Sequence, residues 1–278
     1  MKPGARPGPA RVNRRCDPQQ PAGVTILELL IVIAVVTVLL SMSMAAFRSV
    51  RVQSGRTQSL TRARSIASDL RASATQTGRW PYTDQRETAS SARIPDVFPS
   101  GVIVVPWWPD GSYRGTDSRW DLSLLWPGLI QGVAPWETHY TSWISPGHSY
   151  PTLDSLRQSN VWRSPDVSYR YSNSFVASPG LWSGQASADE SLIAPTRPED
   201  VAFPANKVLV WDGDLAYLPA PPKRAEGHWF APTPMAFADG HAAVRQPLDA
   251  TPGAPNPLND NSSVRLHNTP DGVLGRDY

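Results

Sequence analysis

The sequence predicts an α+β protein in which one long N-terminal helix, apolar in its first half and amphipathic in its second, packs on a small antiparallel β-sheet with extended loops. Three observations carry this. Residues 24–78 contain no proline, whereas 24 of the 29 prolines and all eleven tryptophans follow residue 78. Residues 24–47 read VTILELLIVIAVVTVLLSMSMAAF, with Glu28 the only ionisable group. After Gly78 the apolar residues come in short runs separated by turn residues, a pattern of strands.

The apolar stretch is long enough for a membrane span, for which ~20 residues suffice as a helix. It is too long for the core of a secretory signal peptide, and the best small-residue cleavage site precedes it instead of following it. Residues 1–23 carry Lys2, Arg6, Arg11, Arg14 and Arg15 against Asp17, a net of +4. Arg14 and Arg15 before the span would hold it with the C-terminal body outside the cytoplasm. Arg48, Arg51, Arg56, Arg62, Arg64 and Arg71 follow the span and argue the other way, so charge alone leaves the orientation open.

Beyond residue 47, Leu60, Ala63, Ala67, Leu70 and Ala74 recur at alternating spacings of 3 and 4, one apolar face of a continuing helix. Gly55 is a candidate kink, and Gly78 followed by Trp80-Pro81 is a stop signal. The expected organisation is a basic leader at 1–23, a membrane half-helix at 24–47, an amphipathic half-helix at 48–78 and a β-rich body at 79–278.

In the body, Val102-Ile103-Val104-Val105, the eight residues from Tyr169 to Val176, and Lys207-Val208-Leu209-Val210-Trp211 read as strands. Met235-Ala236-Phe237-Ala238 and Ala242-Ala243-Val244-Arg245 flank Asp239-Gly240-His241, the signature of a tight hairpin. Residues 249–263 read as a loop or linker. Residues 79–278 are net acidic, at −6, the wrong sign for a nucleic-acid-binding surface. The only cysteine, Cys16, lies in the leader, so the body is expected to hold no disulfide.

Catalytic signatures are lacking: there is no Gly-x-Ser-x-Gly, phosphate-binding loop, Gly-x-Gly-x-x-Gly or His-Glu-x-x-His, and no enzymatic activity is expected. Asp212, Asp214, His228, Asp239 and His241 form a candidate metal set, because oxygen and imidazole ligands converge if the strands that carry them pair. Calcium is the better fit, since no cysteine remains and no two histidines stand at i, i+4. The competing and preferred reading is that Asp239-Gly240 supplies the positive φ angles of a two-residue turn, with His228 and His241 making structural hydrogen bonds. Trp107, Trp108, Trp120, Trp126, Trp136 and Trp143 are a candidate stacking surface for a polysaccharide, or, as is commoner, core of a loop-rich domain.

The segment Gly23-Val24-Thr25-Ile26-Leu27-Glu28-Leu29-Leu30-Ile31-Val32-Ile33 resembles the type IV prepilin motif. That resemblance implies that a prepilin peptidase cuts after Gly23, that the new N-terminus at Val24 is methylated, and that Glu28 pairs with the Val24 amine of a neighbouring subunit during assembly. Val24 departs from the phenylalanine or methionine usual there. His228, ten intervening residues and Asp239-Gly240-His241 resemble the C-terminal motif of the pilin-like proteins of planctomycete-type bacteria, as do the strands around Tyr169 and Val208. The implied function is a structural subunit of a type II secretion pseudopilus or related filament, held in the bacterial inner membrane with its body in the periplasm. Its implied partners are other pilin or pseudopilin subunits, the peptidase and the secretion or pilus assembly machinery. The alternative is a membrane-anchored binding module, for polysaccharide or protein, that does not assemble.

Overall fold

The computed structural model describes residues 25–82, 126–127, 129–130, 132–149, 167–185, 187, 189–221, 231–258 and 261–278. Within it, residues 1–48 and residues 49–278 belong to separate compact units. The expected leader, the strand at 102–105, Trp107, Trp108, Trp120 and His228 lie outside the described residues, as does the side chain of Trp136.

Helix α1 covers Ile26–Thr77, and its two halves meet different surroundings because their side chains differ. In the first unit every large apolar side chain from Ile26 to Phe47 is about half exposed or more, between 46% and 80%. This segment is long and apolar enough to cross a membrane. Such a surface in water would forgo about 25 cal/mol for each Å² of apolar area left unburied.

In the second unit the helix has a dry side. Ala63, Ala67, Leu70 and Ala74 are buried as their spacing predicts, joined by Ile66, and Leu60 is half-buried. Gly55 is not a kink: α1 is helical through it, and it is buried so close to Tyr217 that a Cβ there would lie 2.3 Å from Tyr217 Cβ. The glycine lets the helix backbone and an aromatic side chain come together. Gly78 ends the helix in the left-handed region at φ +70°, the usual stop. Trp80 then tucks its ring into the core, its backbone N–H donating to Thr196 O at 2.8 Å.

Four antiparallel strands form one sheet in chain order, β1 (Tyr169–Tyr171), β2 (Val208–Asp212), β3 (Thr233–Phe237) and β4 (Ala242–Arg245). The α+β class is therefore observed. β1 is shorter than expected: Ser172 turns the chain, its hydroxyl donating to Leu266 O at 2.6 Å, and Asn173–Phe175 form a 3-10 turn. A serine that bonds to backbone offers the chain an alternative to the ladder.

The pairing of β2 with β3 slips between Val208 and Val210. This bulge sends both Leu209 and Val210 to the core shared with α1, while Val208 and Trp211 join Met235, Phe237 and Leu266 in a second cluster. Trp126 and Trp143 sit in the α1 core, edge to face at 5.2 Å. Of the segment expected as a loop or linker at 249–263, the described residues are a loop held against the body, since Ala250, Ala254 and Asn256 are buried and Ala254 N–H donates to Asn268 O.

Candidate functional site

Three places hold the residues singled out in the sequence. The first is the start of α1. Thr25 N–H donates to Glu28 Oε2 at 2.8 Å, and Glu28 N–H donates to Thr25 Oγ1 at 3.2 Å. This is a reciprocal capping box, satisfying two amide donors that the first helical turn otherwise leaves open. The Thr25-x-x-Glu28 spacing is the sequence signal for it, and sequence reasoning that assigned Glu28 to assembly passed over it. Glu28 Oε1 has no partner among the described residues, so the carboxylate keeps acceptor capacity on its exposed side. Gly23 and Val24 lie outside the described residues.

The second place is Asp212, at the end of β2 and fully buried. Its Oδ2 accepts from the Ser59 hydroxyl at 2.6 Å and the Ser145 hydroxyl at 2.7 Å, and its Oδ1 accepts from the N–H groups of Asp214 and Leu215, each at 3.0 Å. Tyr169 OH adds a bond to Ser59 Oγ at 3.0 Å. Burial raises the Asp212 carboxyl above its ordinary value, and the four hydrogen bonds only partly oppose that. Both oxygens carry two donors each, an arrangement that joins α1, the segment after Trp143 and the loop following β2 around one carboxylate. Asp214, whose N–H is one of these donors, has its own Oδ2 3.9 Å from His148 Nε2.

The third is the β3–β4 turn. Gly240 N–H donates to Phe237 O and Phe237 N–H to His241 O, so the loop is Ala238-Asp239-Gly240. That is three residues, not the two expected. Only Gly240 has a positive φ, +93°, as a turn followed by a glycine bulge requires. Asp239 does not supply a positive φ; its carboxylate instead accepts from His241 N–H at 3.0 Å and meets His241 Nδ1 at 2.7 Å. The imidazole stacks on Phe237 with ring centroids 4.2 Å apart. Arg71, from α1, donates from Nη1 to Asp239 O at 2.7 Å. Beside this contact opens a cleft of about 320 Å³ lined by Arg71, Ala74, Trp80, Pro204, Ala238 and Asp239.

These residues do not come together as one ligand set. Val208 pairs with Phe237 and Trp211 with Met235, so Asp212 lies at one end of the ladder, about 13 Å of strand rise from the level of the Val208–Phe237 pair, and Asp239 lies beyond that pair. Among the described residues no three His, Cys, Asp or Glu side chains gather as a metal site. Ser59 and Ser145 were missed because nothing local in the sequence marks a serine as the partner of a carboxylate 153 or 67 positions away.

Compared with models of protein families, with curated proteins and with solved structures, the chain matches none.

Proposed function

We propose that this chain is a structural subunit of a pilus-like filament of the type II secretion pseudopilus kind, cut after Gly23 and held in the bacterial inner membrane by the first half of α1. The observation that carries the reading is the order of features at the N-terminus: a basic leader, Gly23, a lone Glu28 and an apolar run whose large side chains are exposed from Ile26 to Phe47. A helix side that finds no cover among the described residues calls for lipid or neighbouring helices, and an ionisable group inside such a run is a functional-site hypothesis by default.

One observation favours a second reading, a membrane-anchored binding module for polysaccharide or protein. Glu28 is already engaged by Thr25 of its own chain, so a helix that merely anchors has a use for it as a cap.

Mass spectrometry of the mature N-terminus separates the two. A chain beginning at Val24, with Gly23→Leu left uncut, supports the filament subunit; a wild-type chain that retains Met1–Gly23 supports the anchor.

A further inference from the structure

Lys207 stands immediately before β2 and is completely buried, as is Asp277. Among the described residues the Lys207 amine makes no hydrogen bond; its Nζ lies 3.7 Å from Asp277 Oδ2 and 5.8 Å from the centre of the Phe175 ring. The carboxylate is held firmly. Asp277 Oδ2 accepts from Val208 N–H at 2.7 Å, and Oδ1 accepts from the Thr269 hydroxyl at 2.5 Å. The Asp277 backbone is pinned too, its N–H donating to Asn206 O and its carbonyl accepting from Thr251 N–H.

As an ion pair this is a poor arrangement, because two dehydrated charges attract without a hydrogen bond between them. Burial pulls the Lys207 amine down to about 8 and pushes the Asp277 carboxyl up, each towards its neutral form. Passing one proton from Nζ to the carboxylate 3.7 Å away turns the pair into an amine facing a carboxylic acid, shielded from water, which is the reactant pair of amide condensation. Fixing two such groups side by side is worth effective concentrations of ~10⁵–10⁸ M in well-oriented intramolecular reactions.

We propose that Lys207 and Asp277 form a self-modification site at which the amine condenses with the side-chain carboxyl, giving an amide crosslink within the chain. The Nζ lone pair attacks Asp277 Cγ, and the charge that develops on Oδ2 is met by Val208 N–H. Oδ1 departs as water. It takes the carboxyl's own proton and the proton that Nζ gives up on becoming an amide nitrogen, and Thr269, bonded to Oδ1, is the hydroxyl placed to deliver a proton there. One C–N bond forms, one C–O bond breaks, and nothing is oxidised or reduced. The product keeps Oδ2 as an amide carbonyl facing Val208 N–H and replaces two buried ionisable groups with a neutral link.

Intact-mass measurement and tryptic mapping of the full chain purified from membranes test this. The expected result is a mass lower by about 18 Da, one water, than the measured termini require, with Lys207 resistant to trypsin and joined to the peptide that contains Asp277. An unshifted mass, with Lys207 and Asp277 recovered in separate linear peptides, overturns the proposal. So does a mass deficit that persists in Asp277→Ala. Should Asp277→Ala fail to fold, the presence or absence of the branched peptide in the wild-type chain still decides.

Discussion

The Ser59 hydroxyl donates to Asp212 Oδ2 at 2.6 Å, and through that bond α1 is held to the end of a central β-strand. Since Ser145 and two backbone N–H groups share the same carboxylate, its removal leaves four donors unmet. Asp212→Ala is expected to lower stability by about 3 kcal/mol or more, as each buried donor left unpaired costs ~1–3 kcal/mol. Asp212→Asn should cost less, because one amide oxygen can still face the fixed N–H groups while the serine hydroxyls rotate to accept. Urea titration of the three chains gives the order.

The same carboxylate fixes a pH dependence. Its folded value is raised above the unfolded one by burial, so the folded chain binds the extra proton between those two values. Asp212 therefore favours the folded state more at low pH, and its contribution falls as pH rises from about 4 through the raised folded value. Asp277 is raised for the same cause where it remains a free carboxyl. Thermal midpoints of wild type and Asp212→Asn, compared from acid to neutral pH, should converge as pH rises through that window. A gap that stays constant would mean that Asp212 does not titrate there.

Gly55 offers a test of close packing. A Cβ at this position would sit 2.3 Å from Tyr217 Cβ and 2.9 Å from Cγ, and neither atom belongs to the free end of the side chain. Although alanine is the better helix former by ~1 kcal/mol, Gly55→Ala should destabilise by roughly 1–3 kcal/mol through overpacking. Tyr217→Gly in the same chain should recover part of that loss in a double-mutant cycle, because the two positions are in contact.

At the β3–β4 turn, His241→Ala removes a ring stacked at 4.2 Å on Phe237 and a 2.7 Å contact with Asp239. The expected cost is modest, about 0.5–1.5 kcal/mol for the stacking. Calorimetry with calcium and with zinc should give the same trace for wild type and His241→Ala. Binding that Asp239→Ala or His241→Ala abolishes would replace the structural role with a metal site.

Much of this fold is legible where one short stretch of sequence carries the signal. The 3,4 spacing of Ala63, Ala67, Leu70 and Ala74 reports the buried side of α1 because neighbours on a helix face are neighbours in sequence. Ala242–Arg245 and the Asp239-Gly240 turn are readable for the same reason. Gly55 misleads because a glycine in a helix signals a kink and a close approach equally, and only Tyr217, far along the chain, decides between them. The Asp212 cluster and the Lys207–Asp277 pair are illegible in kind, since their partners are brought together by the sheet and the loops around it, and no periodicity reports that. Asp239, Asp212 and His241 look like one ligand set in sequence only because strand pairing was expected to gather them. The actual register leaves Asp239 and His241 in contact and sets Asp212 at the other end of the ladder.

The last test concerns Glu28, whose carboxylate has one oxygen bound to Thr25 N–H and the other unpartnered among the described residues. Glu28→Ala should leave membrane insertion intact, because a carboxylate in an apolar span carries a desolvation cost and its loss can only ease insertion. It also removes the cap, so the first turn of α1 should fray, at a cost of about 1 kcal/mol. Thr25→Ala frays the same turn while keeping the carboxylate, and so separates capping from assembly. If Glu28 meets the Val24 amine of a neighbouring chain, an attraction strengthened in the low dielectric of lipid, crosslinking between adjacent helices in native membranes should fall in Glu28→Ala and persist in Thr25→Ala. Equal losses in both would assign Glu28 to the cap alone, and undiminished crosslinking in Glu28→Ala would remove it from assembly.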